Sequence, residues 1–110
     1  MTAESFAVVL LARLRELDPE AQALKKGPAR RGGVTLGIDD EGFQPLMRLS
    51  AGSAKLNVMG LFVRRHHSWF PTFQRGTPGE LAQQLAGPLR HLWAIPLSMA
   101  EPWPPENGES

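Results

Sequence analysis

The spacing of apolar positions predicts a helix at the start of the chain. Apolar residues recur there at steps of four, four and three, which places them on one helical face. They are Phe6, Leu10, Leu14 and Leu17. We therefore predict an amphipathic helix from about Ala3 to Leu17.

A second, short helix is predicted directly after the first. Asp18 is a typical N-cap residue and Pro19 suits the first helical position, and we expect this helix to end at Gly27. Residues 25–33 read KKGPARRGG, which combines glycines, a proline and four cations. This composition predicts an exposed, mobile loop.

Patterns of period two predict strands in the middle of the chain. Residues 34–39 and 43–50 fit strands with one buried face. Residues 55–65 have apolar side chains at both parities, which predicts a central strand with both faces at least partly covered. A fourth strand is an alternative over 69–74, where Pro71 would confine it to an edge.

The clearest helix signal lies near the C-terminus. Thr77 and Glu80 have the spacing of a capping box, and a leucine repeat follows them. We predict a helix from Pro78 to Trp93. Gly87 and Pro88 lie inside it, so we expect the helix either to kink or to split in two.

Together these elements predict an α+β fold. Short turns between successive strands favour an antiparallel sheet of three to four strands, with the N-terminal and C-terminal helices packed on one face, in the order α-β-β-β-(β)-α. A chain of 110 residues with 42% hydrophobic and 21% charged residues fits a single domain. We assign that domain to residues 1–97 and a disordered, acidic, proline-rich tail to residues 98–110.

Composition narrows the classes of function. The chain has no cysteine, which excludes disulfides and zinc-thiolate sites and is typical of a cytoplasmic protein. Arginine outnumbers lysine nine to three, as we expect of a GC-rich bacterial genome. His66 and His67 would point to opposite faces of a strand, so they cannot share a metal ion unless a bulge intervenes. We expect a protein that is not an enzyme, with no cofactor, no catalytic residue and no membrane association.

Our leading hypothesis is a protein-interaction domain. With both helices on one face of the sheet, we expect the other face to expose an apolar patch that a second copy or a protein partner covers. The predicted patch is Leu46, Met59, Leu61 and Val63. A homodimer or larger assembly through Met59 or Leu61 is the corresponding expectation.

The alternative is a nucleic-acid-binding module. Residues 1–97 hold 12 cations and 8 acids, whereas residues 98–110 hold 3 acids and no cation. Aromatic side chains also alternate with arginines over residues 64–75, and such rings can stack on bases. The candidate residues of this interpretation are Arg30, Arg31, Arg64, Arg65, Trp69 and Arg75. Scattered, solvated arginines and buried rings are the competing interpretation.

Overall fold

In the described part of the chain, one α-helix and a short 3-10 helix precede an antiparallel sheet of five strands, and two α-helices follow it. The computed structural model describes residues 2–30, 32–39, 41–51, 58–65 and 67–100, with side chains up to Ile95. In chain order the elements are α1 (Ala3–Leu17), a short 3-10 helix (Pro19–Ala23), β1 (Lys25–Arg30), β2 (Gly33–Asp39), β3 (Phe43–Ser50), β4 (Met59–Arg65), β5 (Ser68–Gly76), α2 (Pro78–Ala86) and α3 (His91–Ala100).

The sheet confirms the predicted α+β class and adds a strand at each edge. The strand order is β1-β2-β3-β4-β5, and every neighbouring pair is antiparallel. The alternative fourth strand is present as β5. The loop predicted over 25–33 is wrong, because its first six residues form β1. The ladder between β1 and β2 is irregular between Lys26 and Ala29, so Pro28 occupies an edge position where no paired donor is required.

The first helix forms because both of its ends and one face are satisfied. Thr2 Oγ1 accepts a hydrogen bond from the Ser5 backbone N–H at 3.1 Å, and Ser5 Oγ accepts one from the Thr2 N–H at 2.9 Å. Phe6, Leu10 and Leu14 are fully buried, as predicted. Leu17, by contrast, is 42% exposed, because α1 ends at this residue, beyond the surface that it packs against.

The C-terminal helical region is split, one of the two outcomes predicted. The capping box is confirmed: Thr77 Oγ1 accepts from the Glu80 N–H at 3.2 Å and Glu80 Oε1 from the Thr77 N–H at 2.9 Å. Helix α2 ends at Ala86, and α3 begins at His91, after the Gly87–Pro88 pair. Trp93 of α3 is fully buried and donates its indole N–H to the Leu85 carbonyl at 2.8 Å, which joins the two helices.

The helices cover one face of the sheet, and the core lies between the two layers. The helical side chains of the core include Phe6, Leu10, Leu14, Leu81, Leu85 and Trp93. The strands contribute Val34, Leu36, Ile38, Met47, Leu49, Met59 and Leu61. Alternate residues of β2, β3 and β4 therefore face the helices.

This arrangement corrects the predicted partner-binding patch. Met59 and Leu61 are 0% and 1% exposed, so they belong to the core. Leu46 and Val63 are half-buried and pack against that core. The expected exposed apolar patch is absent from these four positions, because the helices cover the face of β4 that was predicted to be open.

The predicted domain boundary falls inside a helix. Helix α3 continues to Ala100, so residues 98–100 are helical rather than part of a tail. The remainder of the predicted tail, residues 101–110, lies outside the described residues.

Candidate functional site

The face of the sheet opposite the helices carries polar and aromatic side chains. These residues alternate along the strands with the core residues. One row of paired positions crosses from β2 to β5 and consists of Thr35, Arg48, Phe62 and Pro71. We call this surface the open face, since no described helix packs on it.

A shallow cavity of about 250 Å³ lies on the open face. All five strands contribute to its lining. The lining residues are Pro28, Arg30, Thr35, Phe43, Pro45, Arg48, Arg64 and Trp69. We call this cavity the arginine groove, because three guanidinium groups and two large aromatic rings surround it.

Glycines beneath the groove provide the space for two of its large side chains. A Cβ atom on Gly33 would lie 2.5 Å from Arg48 Nη2, so the guanidinium lies across β2 where a side chain is missing. A Cβ atom on Gly27 would lie 2.5 Å from the Phe43 ring, and one on Gly37 would lie 3.0 Å from it. Phe43 therefore packs against β1 and β2 at the positions of these two glycines.

Arg48 is held in place before any ligand arrives. Its Nη2 donates a hydrogen bond to the carbonyl oxygen of Arg30 at 2.9 Å. This bond uses only part of the five-donor guanidinium, so N–H groups remain for another acceptor. An immobilised side chain loses less entropy on binding, which favours affinity.

Arg64 and Trp69 form a second prearranged pair. They are direct cross-strand partners on β4 and β5, and the Arg64 Cζ atom lies 5.4 Å from the centre of the Trp69 ring. This distance is within the range of a cation–π interaction. The pair places a cation beside a ring that is half-buried and still accessible from the groove.

No arginine of the open face forms an ion pair within the described residues. Within the described part of the chain, the ion pairs are Arg13–Glu16, Lys26–Glu4, Arg90–Asp18 and Arg90–Glu20. None of these pairs includes a residue that lines the groove. Asp39, paired with Phe43 at the far end of β2, is the carboxylate nearest to the groove in the strand register.

One polar atom in the groove lacks a partner. Thr35 Oγ1 is buried and makes no hydrogen bond within the described residues. Thr35 lines the groove, but its hydroxyl oxygen is covered by neighbouring atoms and is not a contact point for a ligand in this arrangement.

The structure separates the predicted basic residues into three sets. Arg30, Arg64 and Trp69 come together in the arginine groove. Arg75 lines a second cavity on the same face. Arg65 instead lines a cavity on the helical side, and Arg31 lies outside the described residues.

Five of the eight groove residues were not predicted as site residues, and they include Arg48 and Phe43. Arg48 lies between the buried residues Met47 and Leu49, so strand alternation alone could have placed it on the opposite face. Phe43 could not have been found in this way. A bulge shifts the register of β3 between the partners of Leu36 and Gly37, so Phe43 faces away from the core.

The described residues contain no group of three His, Asp or Glu side chains that could hold a metal ion. His67 lies in the β4–β5 turn and His91 at the start of α3, and both are exposed. His66 lies outside the described residues. The predicted separation of the two adjacent histidines therefore stays a prediction.

Comparison with known proteins identifies no relative. The chain matches no protein-family model, no curated protein and no solved structure. Among the described helices, none is long and apolar enough to cross a membrane.

Proposed function

We propose that this protein binds single-stranded nucleic acid in the arginine groove. The observation that carries the proposal is the composition of the groove: Arg30, Arg48 and Arg64 surround Phe43 and Trp69, and no described carboxylate pairs with the three cations. A strand of nucleic acid has both of the chemical groups that this surface matches, because its phosphates are anions and its bases are flat rings.

The groove favours a single strand over a duplex. Aromatic side chains stack only on bases that are unpaired and accessible, and the Trp69 ring lies at the sheet surface rather than on a helix that could enter a major groove. Five strands at about 4.8 Å spacing place β1 and β5 about 19 Å apart. That width suits a segment of roughly four nucleotides, the lower end of the range for a single sheet-based site.

Self-association through Met59 or Leu61 is no longer supported, because both side chains lie in the core. If nucleic acid does not bind, the remaining hypothesis is a protein-interaction domain whose partner binds the open face. A cytoplasmic location and a binding role without catalysis belong to the same proposal, since the cysteine-free composition fits a reducing compartment that contains nucleic acid.

The proposal is tested by fluorescence anisotropy with a labelled, mixed-sequence 12-nucleotide strand. Three phosphate contacts predict that affinity falls about twentyfold between 50 mM and 200 mM salt. Arg64→Gln should weaken binding and lower the salt slope by about 0.7, because one phosphate contact is lost. A 12-base-pair duplex of the same sequence should bind more weakly than the single strand.

Arg13→Gln is the matched control, since it makes the same charge change on α1, where Arg13 pairs with Glu16 at 3.0 Å. It should leave affinity and salt slope unchanged. Absence of binding at 50 mM salt would overturn the proposal, as would equal losses in the two variants.

A further inference from the structure

Phe73 combines two unfavourable features in one residue. Its backbone φ is +66°, in the left-handed region that a bulky side chain rarely adopts, and its side chain is 88% exposed. A large apolar ring in solvent gains nothing from burial. Strain of this kind is typical of functional positions, so the surroundings of Phe73 are informative.

The conformation of Phe73 is imposed by a bulge in β5. The register between β4 and β5 shifts between Gly60 and Phe62, which leaves extra residues on β5. Thr72 Oγ1 stabilises this bulge by donating to the Leu61 carbonyl at 2.8 Å and accepting from the Gln74 N–H at 3.2 Å. The bulge therefore holds Phe73 in one place at the edge of the sheet.

A second cavity of the open face, about 290 Å³ in volume, lies beside Phe73. Its walls include the aromatic rings of Phe62 and Phe73, the ring of Pro71 and the side chain of Arg75. Gly60 contributes no side chain, which keeps the centre of the cavity open. We call it the edge pocket.

The side chains that line the edge pocket indicate which class of ligand it would bind. Two phenyl rings offer stacking surfaces to a flat aromatic group, and Arg75 offers an exposed guanidinium to an anion. No ion pair of Arg75 is present within the described residues. A ligand with a flat ring and a phosphate at a short distance satisfies both features, and a nucleotide has this composition.

We propose that the edge pocket binds one unpaired nucleotide, with its base stacked against Phe73 and Phe62 and its phosphate on Arg75. This inference rests on the proposed function and extends it, because Phe62 is the cross-strand neighbour of the groove residue Arg48. A strand lying across the groove would thus reach the pocket at the β5 edge. A free mononucleotide offers the same chemistry, so the experiment separates the two sources.

The test uses backbone amide NMR spectra of the full chain with two probes, uridine monophosphate and a mixed-sequence hexanucleotide. Shifts at Gly60, Phe62, Phe73 and Arg75 with the mononucleotide would support a pocket for free nucleotides. Shifts there with the hexanucleotide alone would support a base supplied by a strand. If the groove residues Arg48 and Trp69 shift with the hexanucleotide but the pocket residues do not, the inference is overturned and the proposed function stands.

Phe73→Asn gives a second, independent measurement. Asparagine tolerates a positive φ, so this variant should unfold at the same temperature as the wild type or higher. Loss of one stacking ring should nevertheless weaken hexanucleotide binding about five- to 150-fold. Phe70→Asn is the matched control on the same strand: Phe70 is 46% exposed and lines the helical side, so hexanucleotide affinity should not change. Unchanged affinity in Phe73→Asn would contradict the inference.

Discussion

The two faces of the sheet differ in charge as sharply as in burial, although the same strands form both. On β4, Leu61 is buried in the core, whereas the next residue, Phe62, is only half-buried and lies on the open face. On β3, Arg48 reaches the arginine groove between Met47 and Leu49, which are fully buried. Neighbouring residues thus serve different purposes, since one face supplies stability and the other is available for a ligand.

The distribution of acids explains why the open face remains positive. Glu4, Glu16, Asp18 and Glu20 belong to α1 and the turn that follows it, and each pairs with a cation of the helical layer or of β1. The cations of the groove have no such partner among the described residues. A modest total charge therefore coexists with a locally basic surface.

The largest expected effect is a difference in stability between substitutions on the two faces of strand β4. Leu61→Ala should lower the free energy of unfolding by about 2–5 kcal/mol, because it leaves a cavity in the core. Phe62→Ala should cost about 1 kcal/mol, since the ring is only half-buried. Urea denaturation of both variants measures the difference, and anisotropy with the 12-nucleotide strand should show the reverse order of effects on binding. Similar losses of stability would mean that the open face is covered after all.

The sequence predicted which residues alternate, but not which face the helices would cover. Along 55–65 both parities are apolar, so alternation alone allowed either Met59 or Phe62 to point inwards. The choice depends on how α1 and α2 pack in three dimensions, where Phe6 and Leu85 meet Met59 and Leu61 in one core. The local sequence pattern of a strand contains no information about which of its faces the helices contact.

Parts of the candidate site were equally difficult to predict. The composition of β1 is that of a loop, and it becomes a strand because pairing with β2 satisfies its backbone at the edge of the sheet. The bulge in β3 is a tertiary feature that reverses the direction of Phe43. By contrast, Arg64 and Trp69 were recognisable from the sequence, because cations and rings alternate directly before and after a turn.

A smaller loss of stability is expected when Gly33, a glycine beneath the arginine groove, is replaced by alanine. In Gly33→Ala the new Cβ would lie 2.5 Å from Arg48 Nη2 and 2.8 Å from the Leu49 carbonyl oxygen, so both the guanidinium and the backbone must shift. We expect a loss of about 1–3 kcal/mol in the free energy of unfolding. Binding of the 12-nucleotide strand should also weaken, because Arg48 leaves its position.

Gly60→Ala is the control for this prediction. Its Cβ would meet no atom closer than 3.7 Å, so thermal unfolding should be almost unchanged. Thermal unfolding alone is the readout of this control, because Gly60 lines the edge pocket and its substitution could alter strand binding there. Equal destabilisation by the two substitutions would show that Arg48 does not depend on the space above Gly33.

The smallest expected change in stability comes from altering the ion pairs of the helical layer. Asp18 Oδ2 accepts a hydrogen bond from Arg90 Nε at 2.5 Å, and this bond lowers the pKa of Asp18. Burial partly opposes the lowering of the pKa, whereas the hydrogen bond from the Glu20 N–H adds to it. A carboxylate with a lowered pKa stabilises the fold above its unfolded pKa of about 3.9, and this contribution is lost as the pH falls through the folded value.

Asp18→Asn keeps an N-cap acceptor but removes the charge. It should therefore reduce thermal stability slightly at pH 7, and the difference from wild type should shrink in melts below about pH 4. Glu16→Gln, which alters an ion pair with Arg13 between two largely exposed side chains, should change stability less at either pH. A gap between Asp18→Asn and wild type that stays constant from pH 7 to pH 3 would mean that the Arg90 contact does not depend on the charge of Asp18.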